Sequence, residues 1–146
     1  MKKIVCVGLV LLALLGCLTA CNFTQNMSGA MAGEAEATPK VEEMMAALAD
    51  DNTADAKALL HPQVAETSDA AIAQMSGYLA GRNADTIELI SINVNSSAGT
   101  AGVTRQERVG YRVALTDGAV IYINAVYLSD SQGTGFASFQ VVLGVV

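Results

Sequence analysis

The 146-residue sequence predicts an α+β domain, with three N-terminal helices packed on a curved antiparallel sheet of about four strands. Three observations carry this. Apolar residues recur at helical spacing as far as Leu79, and β-branched residues in alternation dominate from Thr86 onward. Between two alternating runs, Asp117-Gly118 marks a tight hairpin.

The segment ahead of the domain has a different character. Lys2 and Lys3 precede an uncharged stretch from Ile4 to Ala20, which closes on Leu18-Thr19-Ala20-Cys21. Small residues followed by a cysteine read as a lipobox, so residues 1–20 are expected to be a lipoprotein signal peptide. In a bacterial lipoprotein, cleavage leaves the cysteine as residue one, its thiol thioether-linked to diacylglycerol. Two acyl chains hold a protein on a bilayer where one is marginal. Leu14-Leu15-Gly16-Cys17 is a second candidate, but Thr-Ala fits the small-residue requirement at Cys21 better than Leu-Gly does at Cys17. The other alternative is an uncleaved anchor helix. The stretch is slightly short of the roughly 20 residues that a span needs, and it contains Gly8 and Gly16. The expected location is the extracytoplasmic face of a cell membrane, by lipid anchor.

With Cys6 and Cys17 removed and Cys21 acylated, no thiol remains for a disulfide, a zinc site or a nucleophile. The mature chain keeps six Lys/Arg against fourteen Asp/Glu, so its formal charge moves from −6 to −8. That balance argues against binding nucleic acid through a basic patch. Nine of the acids lie between Glu34 and Asp69, where they read as a solvated helical face. Residues 21–37, Gly/Ala/Ser/Glu-rich beyond Cys21, read as the lipidated cysteine and a flexible tether, and residues 38–146 as one domain.

Within the domain, Thr38 is the expected N-cap of the first helix, with Pro39 at its first position and Glu42 and Glu43 in its first turn. Val41, Met44, Met45 and Leu48 fall on one face. Asp50-Asp51-Asn52-Thr53 breaks this helix and caps a second, which carries Ala56, Leu59 and Leu60 and stops at Pro62. Ser68 and Asp69 start a third, with Ile72, Met75 and Leu79, ended by Gly81. Strands are expected over Thr86–Asn95, Arg105–Thr116, Ala119–Leu128 and Phe136–Val146.

A two-residue Asp117-Gly118 loop predicts Val109 opposite Val126, Tyr111 opposite Asn124 and Val113 opposite Tyr122. With Gln132-Gly133 closing the next hairpin, Tyr122 falls opposite Leu143. The core face then collects Val109, Tyr111, Val113, Leu115, Val120, Tyr122, Val126, Phe139, Val141, Leu143 and Val145. The other face carries Arg108, Arg112, Ser138 and Gln140 beside Ile121, Ile123, Tyr127 and Val142, an apolar surface suited to a homodimer or another protein partner.

Short helices followed by a meander of long strands resemble the nuclear transport factor 2-like superfamily, a cystatin-like cone. The segment Ala47-Leu48-Ala49-Asp50-Asp51 through Leu59-Leu60-His61-Pro62 is similar to the pattern of its small bacterial members, as is Gly135-Phe136-Ala137-Ser138-Phe139. The resemblance covers residues 40–146. It implies a cone that in some members is an isomerase- or cyclase-like active site, and in others belongs to a non-catalytic lipoprotein.

Candidate chemistry is sparse. His61 is the single histidine and has no partners at ligand spacing, so it reads as a group satisfying carbonyls at a helix end rather than as a base or metal ligand. Arg108 and Arg112 share a strand face, either as a solubilising surface or as a shallow anion contact. Tyr111, Tyr122 and Asn124 are the expected polar floor of the cone, either a satisfied core cluster or the ligand-binding site for a small apolar molecule. No Asp or His lies on the predicted core face. The expectation is therefore a binding or interaction module without catalysis, cofactor or metal, and the alternative is a small enzyme using the cone pocket.

Overall fold

The structure is a computed structural model that describes residues 35–144; the expected signal peptide, Cys21 and most of the expected tether lie outside the described residues. The architecture is α+β. Four helices precede the sheet: α1 (Ala37–Ala49), α2 (Thr53–Ala58), α3 (Pro62–Ala65) and α4 (Asp69–Leu79). Four strands follow as an antiparallel meander in the order β1-β2-β3-β4: β1 (Ala84–Gly99), β2 (Gly102–Leu115), β3 (Val120–Asp130) and β4 (Gly133–Leu143).

The extra helix, α3, arises where Pro62 was expected only to stop its predecessor. Proline at the first helical position costs no hydrogen bond, because that N–H has no partner in a helix anyway. His61 supplies the cap by accepting the Gln63 N–H at Nδ1, 3.3 Å away. The first helix also begins differently. Thr38 lies inside its first turn, and the residue at the cap position, Glu36, makes no side-chain capping bond. Instead the Ala37 N–H donates to a carboxylate from the sheet, Glu107 Oε2, at 3.1 Å. Ala35 and Ala37 are already buried, so the folded part starts ahead of the expected boundary at residue 38.

Met44, Met45 and Leu48 of α1 and Ile72, Met75 and Leu79 of α4 form the helical side of the core. Their stripe at helical spacing packs on one face of the sheet. Tyr127, Phe136 and Phe139 continue the core as two edge-to-face ring contacts, with centroids 5.1 and 5.2 Å apart. The segment leading out of α2 runs beside β4. Phe136 donates its N–H to Leu59 O at 2.9 Å and accepts the His61 N–H at 3.0 Å, forming an isolated parallel bridge at Leu60. Gly135 makes that approach possible, since a Cβ there would stand 2.6 Å from the backbone of Leu60 and His61.

The register of β3 corrects the expectation. Leu115 donates its N–H to Ala119 O, Gly118 donates to Leu115 O, and Gly118 has φ of +87°. The loop is therefore the three residues Thr116-Asp117-Gly118, with glycine in the left-handed position that such loops require. One extra loop residue slides β3 by one place. Tyr111 stands opposite Ile123 and Val113 opposite Ile121, not opposite Asn124 and Tyr122. Because side chains alternate, the slip reverses every face of the strand. Ile121, Ile123, Ala125 and Tyr127 point inward and are buried, while Tyr122 and Asn124 point outward.

The next hairpin turns at Ser131-Gln132 and carries a bulge between Val126 and Tyr127, which places Tyr122 opposite Val142. The two one-residue displacements cancel across β3. Phe139 and Val141 remain on the core face and Val142 on the outer face, as expected.

Candidate functional site

Beside Ser68 and Ser76, which bond Ala65 O and Asp51, three sets of polar groups on the helix-facing side hold the candidate titratable residues. Tyr111, fully buried, has its hydroxyl 2.9 Å from Thr38 Oγ1. Burial pushes its phenol up from the ordinary value, partly opposed by the Thr38 hydrogen bond. Burial also raises the Tyr127 phenol. Neither can act as a base near neutral pH.

Glu107 forms the second set. It is 1 % exposed, accepts the Ala37 N–H, and accepts from Arg105 Nη2 at 2.7 Å. Sequence reasoning overlooked it, although alternation from Val109 and Tyr111 puts it in phase with the core face. Its partners lie at the start of a helix 70 residues away and on its own strand. The carboxylate therefore acts as a long-range helix cap, suited to the partial positive charge of a helix N-terminus.

His61 and Asp130 form the third. The imidazole is fully buried and its Nε2 lies 3.1 Å from Asp130 Oδ1. Because Nδ1 accepts the Gln63 N–H, the proton of the neutral ring sits on Nε2 and is donated to Asp130. Burial pushes the Asp130 carboxyl up, but the N–H groups of Gln132 and Gly133 together with His61 outweigh it and hold the carboxyl below its ordinary value. The ring therefore has a carboxylate partner that its neighbours in sequence did not reveal. It accepts a backbone donor at the start of α3, where it was expected to bond carbonyls at the end of α2. Both ring nitrogens are thus hydrogen-bonded within the fold.

The three residues expected to floor a pocket do not converge. Tyr111 lies in the buried core, while Tyr122 (37 % exposed) and Asn124 lie on the opposite face of the sheet. The surface expected to mediate association is changed in the same way, since Ile121, Ile123 and Tyr127 are core residues and only Val142 of the four is exposed. Cys21 lies outside the described residues. Between α1 and α2 there is a shallow depression of about 410 Å³, with Glu43, Asp50 and Asp55 among its lining residues. Among the described residues no three His, Cys, Asp or Glu side chains are placed to share a metal ion, and no helix is long and apolar enough to cross a membrane.

The outer sheet face is the open one. Glu88, Arg112, Tyr122 and Val142 form one row across all four strands. Ser91, Gly110, Asn124 and Gln140 form the next, and Asn93, Arg108, Val126 and Ser138 the one after. Gly110 has no side chain to hold that space, and Ser91 Oγ leans over it, 2.5 Å from where a Cβ would stand. Ile90, displaced at the bulge between Leu89 and Ser91, is 54 % exposed. Arg108 and Arg112 do share this face, as their spacing predicts. The arrangement offers planar apolar contacts, amides and two guanidinium groups, but no activated nucleophile.

A scan against known protein families finds no match, and no similar chain is found among curated proteins or among solved structures.

Proposed function

We propose that this is a lipid-anchored extracytoplasmic protein whose domain serves as a non-catalytic binding or interaction module, working through the outer face of its sheet. One contrast carries the reading. On the helix side, aromatic, Met and Leu side chains are buried between helices and sheet, and Tyr111, Glu107 and His61 are each bound to internal partners. On the outer side, Tyr122, Val142 and Ile90 remain exposed among Arg112, Asn124 and Gln140. Aromatic and Arg residues on an open surface are the groups that contribute most at protein interfaces. The Leu18-Thr19-Ala20-Cys21 lipobox supports the anchor, and the helices-then-meander order is consistent with the cystatin-like resemblance.

The test is site-specific photo-crosslinking in cells that carry the anchored protein. A crosslinker at Tyr122, on the outer face, should give a discrete adduct that Arg112→Glu abolishes. The same group at Tyr78, on α4, should give none. Equal labelling from both positions, or an adduct indifferent to Arg112→Glu, refutes the reading.

A further inference from the structure

Resting on the lipid-anchor reading, we propose that the β1–β2 hairpin tip is a membrane-contact element that sets the domain upright on a phospholipid surface. The first observation is where the described chain begins. Ala37 is bound to Glu107, and the Glu36 carboxylate lies 3.8 Å from Arg105 Nη2, so the chain enters the fold at the base of this hairpin. Thirteen residues, 22–34, separate Cys21 from Ala35, which limits their separation to at most about 50 Å. Of the two ends of the sheet, the tip end is the one nearer the point where the chain enters the fold.

The second observation is the shape of that end. The β2–β3 pairing stops at Arg105–Ser129, whereas β1 and β2 continue through Ser97–Thr104, Ala98–Val103 and Gly99–Gly102. β3 itself ends at Asp130, level with Thr104, so the last two rows carry the tip roughly 7 Å beyond its neighbour strand. Residues 96–103 are all exposed, and Val103, at 66 %, is the most exposed of the large apolar residues.

The third is charge. From residue 89 to residue 104 the chain carries no Asp, Glu, Lys or Arg, in a mature protein of formal charge −8. Arg105, behind the tip, is already paired with Glu107 and Glu36, so the tip itself meets the surface without charge. Asp130, in the neighbouring β3–β4 hairpin, is the acid level with Thr104 and is bonded to His61, Gln132 N–H and Gly133 N–H, whereas Asp50, Asp51 and Asp117 gather at the opposite end, which is tied together by Gly81 N–H to Ala49 O and by Arg82 to Asp117. An anionic surface repels carboxylates within about a Debye length, roughly 8 Å at physiological salt, and tolerates a neutral tip. Contact through one valine and small polar residues is weak. The anchor offsets this by holding the tip at a local concentration in the millimolar range, enough to populate a contact of millimolar affinity.

The experiment uses the full lipidated protein in vesicles of phosphatidylethanolamine and phosphatidylglycerol, with a fluorophore at Val103→Cys or at Ala54→Cys in α2. With Cys21 acylated, each introduced thiol is the sole free one. Spin-labelled headgroups should quench the Val103 fluorophore several-fold more than the Ala54 one. Adding Val103→Glu to a protein labelled at Ala101→Cys should bring its quenching down to the Ala54 level while the protein still floats with vesicles. Equal quenching of Val103 and Ala54 in floating protein overturns the orientation alone. If the protein does not float, or floats unchanged as Cys21→Ser, the anchor reading falls and this inference with it. Shielding of the Val103 label from iodide in the chain from residue 22 onward, free of lipid, vesicles and detergent, indicates contact with another protein copy and overturns the membrane assignment.

Discussion

The Arg105–Glu107 pair makes an asymmetric prediction. Its partners are 41 % and 1 % exposed, so removing one is not equivalent to removing the other. Arg105→Met keeps an unbranched apolar stem but leaves Glu107 as a buried carboxylate with one remaining donor, the Ala37 N–H at 3.1 Å. Breaking a fully buried pair costs about 3–5 kcal/mol; with one partner near solvent, about 2–4 kcal/mol is expected. Glu107→Gln retains an oxygen for Ala37 and frees Arg105 to turn into water, so the loss is about 1 kcal/mol, the difference between a charge-assisted and a neutral hydrogen bond. The contact of Arg105 with Glu36, both exposed, adds little. The double variant should therefore be more stable than Arg105→Met alone. Urea unfolding of the chain from residue 22 onward reads this directly, since at about 1.5 kcal/mol/M a loss of 3 kcal/mol lowers the midpoint by about 2 M. If Arg105→Met is as mild as Glu107→Gln, or if the two losses add, Glu107 is not a buried charge that needs its arginine and the capping argument fails.

Three further outcomes are expected. Tyr111→Phe removes the hydroxyl bonded to Thr38 and should cost about 0.5–1.5 kcal/mol, while Asn124→Leu, on the open face, should stay within about 0.5 kcal/mol; the reverse order in thermal unfolding would restore the register in which they are neighbours. Asp130 is held below its ordinary value, so its contribution to stability is present above the unfolded carboxylate pKa, about 3.9, and is lost as pH falls through the lower folded value. Asp130→Asn should therefore flatten the acid limb of a stability–pH curve, and an unchanged limb would contradict the assignment. Gly77→Ala, in α4 with no atom within 4 Å of a Cβ, should stabilise by about 0.5–1 kcal/mol, whereas Gly135→Ala should destabilise by about 1–3 kcal/mol by driving a methyl into the Leu60–His61 backbone; calorimetric midpoints moving in the same direction would refute this.

The helices and strands were legible because each is written locally: Val41, Met44, Met45 and Leu48 at helical spacing, Val109, Tyr111 and Val113 in alternation. What one stretch of chain does not contain is the count of loop residues. Asp-Gly serves two-residue and three-residue hairpins alike, and one residue decides which face of β3 is buried. Tyr122 and Asn124 were misplaced for that reason, and Ile121 and Ile123 with them. A composition check could have signalled the error, since β3 in the expected register buries Asn124 and exposes two isoleucines. Glu107 was legible by phase, but its burial depends on a donor in α1. The His61–Asp130 pair joins residues 69 positions apart, and nothing near either one announces the other.

The bridge between Leu60 and Phe136 joins residues 76 positions apart, and its consequence concerns the time at which the domain is completed. The hairpins pair neighbours in sequence and can close as they are made, but the helical layer is fastened to the final strand. Such distant closure is slow, because the intervening chain must be ordered before the contact rewards it. During synthesis, the helices emerge first and wait for residues 133–143 before they can lock. A chain that stops short of Gly133 keeps its helices without the strand that secures them, and leaves β3 as a bare edge open to foreign pairing. The last strand thus marks the difference between a finished molecule and one that proteases and chaperones can still recognise as incomplete.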